Sequence, residues 1–377
     1  MNKKIRVAVI FGGQSSEHEV SRVSAESVIR NINKDKFDVV MVGITKDGNW
    51  LNYNGPVDKL GSGEWEKLAL TTRATAVENK LLGEDSSKNK LVEGASARSI
   101  FKAAGMDNDG QKIDIVFPVL HGANGEDGTI QGLFELAGIP YVGAGVLASA
   151  VGMDKAFTKI IFEKEGIPQG KYLVFNRKNI KSSLDEVINK VESVLPYPCF
   201  VKPSNAGSSV GVGKAHDRRE LIETLFEAAK HDRKVLVEEF INGREVECAV
   251  LGNDDPIAST VGEVIPCNEF YDYKAKYIDN NSKVIIPADL PESTIAEIRE
   301  YAVRAFKSLD CAGLSRIDFF VLKETGKVYI NEINTLPGFT SISMYPKLWE
   351  ASGIPYSELI EKLLDLAVER YNDKISE

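Results

Sequence analysis

Two short segments in the last third of the chain carry the most recognisable chemistry: Arg316-Ile317-Asp318 and Glu332-Ile333-Asn334. Both read as strand, where alternate side chains share a face, so Arg316 lies with Asp318 and Glu332 with Asn334. Two neighbouring strands would then offer two carboxylates and an amide oxygen side by side. An oxygen-only set suits a hard divalent cation such as Mg²⁺, which also holds phosphate oxygens. Arg316 beside that set could stabilise charge developing on a reacting carboxyl group. A cross-strand salt bridge would explain the arginine without catalysis, but it leaves the other polar groups unexplained.

Three further segments could serve the same chemistry. From Phe200 to Gly211 a strand bearing Lys202 runs into a loop of small residues, where backbone N–H groups can approach phosphate closely. A flexible hairpin with a snorkelling lysine is the plain alternative, and the segment lacks the GxxxxGK[ST] pattern. Glu238 and Glu239 end another strand and must point to opposite faces, so one could accept a hydrogen bond from an adenine amino group or a ribose. Paired surface acids at a strand end are also common. The turn from Thr335 to Ser341 leads toward a helix near Ser343, whose free N–H groups could seat a carboxylate.

These groups need a scaffold, and the hydrophobic pattern supplies one. Ile5 to Phe11, the glycines at 12 and 13, an amphipathic run from Glu17 to Ile32 and a strand from Phe37 to Thr45 form a βαβ unit. Ser16 and Glu19 resemble a capping box, and Lys112 to Leu120 reads as a further buried strand. Residues 46 to 110 between them are polar and weakly periodic, which predicts a peripheral, partly irregular insertion. After a helix from about Ala148 to Gly166 come strands Pro198–Pro203, Val210–Lys214 and Val235–Phe240 with a helix from Arg219 to His231, as in a small lid. Strands Glu245–Leu251, Ala258–Ile265, Ser315–Leu322 and Lys327–Asn331 follow, with helices Glu292–Leu309 and Tyr356–Tyr371. Three α/β domains result: a doubly wound one over 1–142, a central lid over 143–243, and an α+β one over 244–377. The polar, tyrosine-rich segment from Asn268 to Ser282 reads as a loop that orders over bound ligand.

Composition limits the partners. With 46 Lys and Arg against 55 Asp and Glu the net charge is -9, which argues against nucleic acid. The longest apolar runs fall well short of the roughly 20 residues of a membrane helix. Four scattered cysteines, Cys199, Cys248, Cys267 and Cys311, suggest neither zinc nor disulfides. A cytoplasmic protein of ordinary globular composition is the expectation.

At this point a specific resemblance appears. GGQSSEHEVS at 12 to 21, HGANGEDGTIQGLFELAGIPYVG at 121 to 143, MDK at 153 to 155, VKPSNAGSSVG at 201 to 211, EFYDYKAKY at 269 to 277, SRIDFF at 315 to 320 and NEINTLPGFTS at 331 to 341 occur in order. Together they resemble the D-alanine:D-alanine ligase family, over nearly the whole chain. The resemblance implies a three-domain ATP-grasp fold, ATP with Mg²⁺ (Mn²⁺ able to substitute), two D-alanine substrates, and a homodimer.

It also implies roles. Lys155, Lys202 and Lys276 resemble phosphate contacts, with Ser208 in the loop that closes over phosphate. Glu238, Glu239 and Phe240 resemble the adenine hinge, and Glu245 the ribose ligand. Asp318, Glu332 and Asn334 match metal ligands, and Arg316 and the Gly338 backbone match the stabilisers of the oxyanion. Glu17 corresponds to the acid holding the first D-alanine's ammonium group, and His121 to another substrate contact. Ser343 and the Met344 backbone correspond to contacts for the second carboxylate. Tyr277, with Ser208 and Glu17, resembles a hydrogen-bonded trio; ligases that make D-alanyl-D-lactate typically carry histidine at this tyrosine's position. D-Alanyl-D-serine ligases, another ATP-grasp ligase, and a regulatory nucleotide-binding protein with a dead site are the rival readings.

Overall fold

The computed structural model describes residues 3–71, 112–207, 209–265 and 283–376. Most of the 46–110 insertion, Ser208, and the loop with Lys276 and Tyr277 lie outside the described residues.

The chain gathers into two compact units, residues Met1–Gly143, Gly338–Ser343 and Pro355–Glu377 forming one, and Ala144–Pro337 with Met344–Ile354 the other. Strands are numbered in chain order. In the first unit β1 (Ile5–Gly12) lies between β2 (Phe37–Ile44) and β4 (Ile115–Val119), parallel to both, and β3 (Trp50–Tyr53) adds an antiparallel edge. Val7 to Phe11 are fully buried, as a parallel sheet covered on both faces requires. Helix Thr129–Ala137 buries Ile130, Phe134 and Ala137 against Ala8, Ile10 and Val42. Helix His18–Asn31 packs on β1 and on helix Tyr356–Ile375.

Several particulars differ from the sequence expectation. Helix His18–Asn31 has Glu17 at its N-cap with no side-chain cap, so the Ser16–Glu19 box does not form. Ser15 acts there instead: its hydroxyl accepts from Glu17 N at 3.1 Å and donates to His121 O at 2.7 Å, while Glu19 pairs with Lys46 at 2.5 Å. The start of the insertion is ordered, because β3 and the fully buried Trp65 complete the core, Trp65 meeting Phe11 edge-on at 4.9 Å. Chain order puts residues 338–343 and 355–377 in the C-terminal domain, yet they belong to the first unit. The stripe Leu359, Ile360, Leu363, Leu364 and Ala367 is buried there, and Tyr371 donates to Gly138 O at 3.0 Å. Gly12 has φ +89, and a Cβ would lie 2.2 Å from Ile44 O, so only glycine allows this turn.

The second unit holds two sheets. In the smaller, β5 (Tyr172–Asn176), β8 (Lys234–Glu239), β6 (Cys199–Pro203) and β7 (Gly213–Ala215) are antiparallel in that order. Their core includes Val187 and Val191 of helix Leu184–Val194 and Leu221 and Leu225 of helix Arg218–His231. β5 and helix Leu184–Val194 escaped the sequence reading, and β7 starts later than expected. The larger sheet runs β11 (Lys283–Ile285), β10 (Ile257–Ile265), β9 (Gly243–Gly252), β12 (Gly313–Leu322), β13 (Val328–Asn334), covered on one face by helix Glu292–Ser308.

The helix expected from Ala148 to Gly166 is two helices, Val146–Met153 and Lys155–Lys164. Asp154 separates them in an extended conformation and caps the second through Ala156 N and Phe157 N. Ala148 and Phe162 join the core of the larger sheet. Among the described residues no helix is long and apolar enough to cross a membrane. Cys199, Cys248 and Cys311 are buried free thiols, pushed up by burial to about 11, about 12 and about 12.

Candidate active site

The polar face of the larger sheet assembles the first cluster. β12 and β13 pair so that Arg316 stands opposite Asn334 and Asp318 opposite Glu332, and on the other side Asp318 stands opposite Glu247 of β9. Three carboxylates therefore form a row across three strands. A bulge between Asp318 and Phe319 leaves Asn331 as an extra residue on β13. Ile330 and Ile333 can then both enter the core while Glu332 and Asn334 stay on the polar face.

Arg316 binds Asp318 through two hydrogen bonds of 2.7 Å and reaches Glu247 at 3.0 Å. The arginine's partners thus lie on its own strand and on β9. Burial would lower the guanidinium pKa, but Asp318, then Glu247, hold it well above its ordinary value. Asn334 Nδ2 donates to Asp318 Oδ2 at 3.1 Å. Among the described residues no three His, Cys, Asp or Glu side chains gather as a ready metal site. The two carboxylates and one amide oxygen of Asp318, Glu332 and Asn334 match a cation that keeps part of its coordination for phosphate and water.

Lysines converge on the same face. Lys155, the first residue of its helix, lies 3.5 Å from Glu332 and donates to Ala206 O at 2.9 Å. Lys202 on β6 meets Glu238 at 2.6 Å and Asn331 Oδ1 at 3.4 Å. Burial works against the Lys202 charge, and Glu238, then Glu332, more than offset it, so its pKa is raised. Glu238 is also held by Lys159 at 2.9 Å. Burial pushes the Glu238 carboxyl up, but the two lysines bring it to about 2.

The base of the small-residue loop is fixed through Asp154. Its carboxylate accepts from Ser204 Oγ at 2.6 Å and Asn205 Nδ2 at 3.2 Å and pairs with Lys234. Asn205 is also held by Asp232, its backbone N–H at 2.8 Å. Lys155 N donates to Ser204 O at 3.0 Å, so the loop and the helix start form one piece.

Glu239 accepts from Lys171 N at 2.8 Å, and Phe240 is exposed, with Phe200 6.2 Å away and the Lys214 ammonium 4.3 Å over its ring. Glu245 is half-buried on β9, two residues before Glu247. Met344 begins helix Met344–Ala351 and is buried, its sulfur lying toward Gly262.

The first unit builds a separate polar cluster. Glu17 and His121 are 5% and 3% exposed. Gly122 has φ +75, and a Cβ there would lie 3.2 Å from Glu17 Oε1. His121 Nδ1 faces Glu126 at 3.4 Å and its Nε2 faces Ser24 Oγ at 3.2 Å, and that hydroxyl accepts from Phe339 N at 3.4 Å. Burial raises the Glu126 carboxyl above its ordinary value; the His121 hydrogen bond pulls it down, and the Glu17 charge adds to the rise. A Cβ on Gly338 would lie 3.0 Å from Ser343 Oγ, and Ser343 also bonds Thr340 Oγ1 at 2.7 Å.

Sequence reading missed Lys159, Glu247, Asp154, Ser24 and Glu126. Faint signals existed: Lys159 is four residues after Lys155, so it shares that helical face, and Glu247 is two after Glu245, so it shares that strand face.

With this geometry in hand, comparison with known proteins is informative. The family profile described as "D-ala D-ala ligase N-terminus" matches residues 6–144, and "D-ala D-ala ligase C-terminus" matches 161–365. A D-alanine--D-alanine ligase of Acetivibrio thermocellus is 67% identical over 377 residues, covering 100% of this chain and 99% of that one. Among solved structures, the VanG D-Ala:D-Ser ligase of Enterococcus faecalis has a TM-score of 0.80 at 40% identity, covering 97% of this chain and 100% of that one. The D-alanine-D-alanine ligase of Coxiella burnetii has a TM-score of 0.77 at 33% identity, covering 98% and 96%.

Proposed function

Because the chain belongs to the D-alanine–D-alanine ligase family, we propose that it joins two D-alanine molecules into D-alanyl-D-alanine for peptidoglycan precursors, with cleavage of ATP to ADP and phosphate. The fold is the α/β ATP-grasp architecture of these ligases. The observation that carries the site reading is the row of paired acids on β9, β12 and β13, with the Lys155 cation against Glu332 and Lys202 reaching β13 at Asn331.

The first D-alanine carboxylate attacks the γ-phosphorus of ATP, ADP leaves, and an acyl phosphate forms. The neutral amine of the second D-alanine then attacks the acyl carbon, phosphate leaves, and the amine proton is lost. No enzyme nucleophile takes part. Mg²⁺, or Mn²⁺ in its place, bound by Asp318, Glu332 and Asn334 would neutralise phosphate charge.

Lys155 and Lys202 exchange their carboxylate partners for phosphate oxygens, and Lys276 adds a third cation. Glu17 and His121 hold the first substrate's ammonium side. Arg316, kept in place by Asp318 and Glu247, and the Gly338 N–H stabilise the oxyanion of the second step. Ser343 and the Met344 backbone receive the second carboxylate. Glu238, Glu239 and Phe240 take the adenine, Glu245 the ribose, and Ser208 with Tyr277 excludes water from the acyl phosphate.

This reading includes domain bounds at 142 and 243, a homodimer, and a cytoplasmic location without nucleic-acid or membrane partners. Phosphate release from ATP that depends on D-alanine, with the dipeptide identified by mass spectrometry, is the test. Release that is indifferent to D-alanine would refute the proposal.

A further inference from the structure

Lys159 has no part in the roles above, yet it is one of the most deeply buried charges of the second unit, 4% exposed. It lies one turn after Lys155 on the same helix and therefore shares its face. Its ammonium takes one oxygen of Glu238 at 2.9 Å while Lys202 takes the other at 2.6 Å, and the Tyr172 ring, on the strand paired with Glu238, stands 5.5 Å from it. The carboxylate is itself only 7% exposed. A buried carboxylate left without a cation is strongly disfavoured, so it would take up a proton or turn away.

The two lysines are not equivalent. Lys202 also reaches Asn331 on the polar face of the larger sheet, where phosphate is to bind, whereas Lys159 stays with Glu238 and Tyr172. When Lys202 turns to the nucleotide, Glu238 needs a cation that remains. We propose that Lys159 is this standing counter-ion. It keeps Glu238 ionised and oriented with an acceptor oxygen toward the purine 6-position, and so is a positioning residue that sets the preference for a 6-amino purine over a 6-oxo purine. The inference rests on the reading of Glu238 as the adenine contact. A 6-amino group donates to the carboxylate, whereas a 6-oxo group sets its own lone pairs against it.

The experiment compares kcat/KM for ATP and ITP in the full-length enzyme and in Lys159→Met, with D-alanine saturating. The unmodified enzyme should favour ATP, and Lys159→Met should lower the ATP/ITP ratio by about tenfold or more, chiefly through the KM for ATP. The KM for D-alanine should stay within about twofold, since a hydrogen-bond loss confined to the purine leaves it untouched. Lys159→Arg, which retains the cation, should recover most of the ratio. If Lys159→Met does not fold, Lys159→Gln replaces it with the same readout. An ATP preference that survives either neutral variant overturns the role of Lys159. An unmodified enzyme with no ATP preference removes the Glu238–adenine contact and the inference with it, while its D-alanine-dependent phosphate release still supports the ligase reading.

Discussion

Asp154→Asn should weaken the second unit and nucleotide binding together. Asn is as good an N-cap as Asp, and its oxygen can still serve Ala156 N and Ser204 Oγ, so those contacts cost little. The new amide N–H₂, however, faces two donors, the Lys234 ammonium and the Asn205 amide. The side chains of Asp154 and Lys234 are only 11% and 12% exposed. Breaking a buried pair by neutralising one member costs about 3–5 kcal/mol, because the other charge is left unpaired. Lys234 keeps the Phe157 ring 4.5 Å away, which favours the lower end, about 3 kcal/mol. At about 2–4 °C per kcal/mol for a unit of this size, the unfolding midpoint should fall by about 6–12 °C. Asn205 then holds the loop less firmly, and the KM for ATP should rise about tenfold with that for D-alanine nearly unchanged. Thermal unfolding by circular dichroism and initial-rate kinetics measure both. Adding Lys234→Met, which removes the stranded cation, should restore part of the midpoint in a double-mutant cycle. A midpoint within about 2 °C of the unmodified protein, which is smaller than the effect of 1 kcal/mol, would refute the reasoning.

Glu332→Gln should cut turnover by about a hundredfold or more, through loss of an anionic metal ligand, while stability changes by less than about 1 kcal/mol because its pair with Lys155 is partly exposed; near-normal rates at ordinary Mg²⁺ would remove Glu332 from the metal set. Glu238, held at about 2 against an ordinary 4.5, contributes stability that is complete above about pH 4.5 and is lost as pH falls toward 2. Acid unfolding of Glu238→Gln should accordingly be less steep in that window, and an identical slope would exclude the contribution. Given D-alanine, D-serine and D-lactate together, the enzyme should form chiefly D-alanyl-D-alanine. Tyr277→His should gain D-alanyl-D-lactate below the imidazole pKa of about 6.5, where a cation can attract the lactate carboxylate, with mass spectrometry of the products deciding.

The sequence by itself determined much of the scaffold, because alternation and amphipathic period are local properties that one face of each element must obey. The buried run Val7–Phe11, the helix Glu292–Ser308 and the strands bearing Arg316, Asp318, Glu332 and Asn334 were legible for that reason. Fold and activity were legible through ordered motifs, which span both family profiles. Tertiary structure alone decided what depends on register and on partners distant in sequence. The bulge at Asn331 let Ile330 and Ile333 share the core, which strict alternation forbids. The pairing of β9 with β12 put Glu247 next to Asp318 and gave Arg316 a second carboxylate. Lys159 looked like any helical lysine until burial placed Glu238 against it, and Tyr356–Ile375 joined the first unit because its apolar stripe found a surface there. In each case the deciding energy is desolvation of a group by residues far along the chain, which a local pattern does not encode.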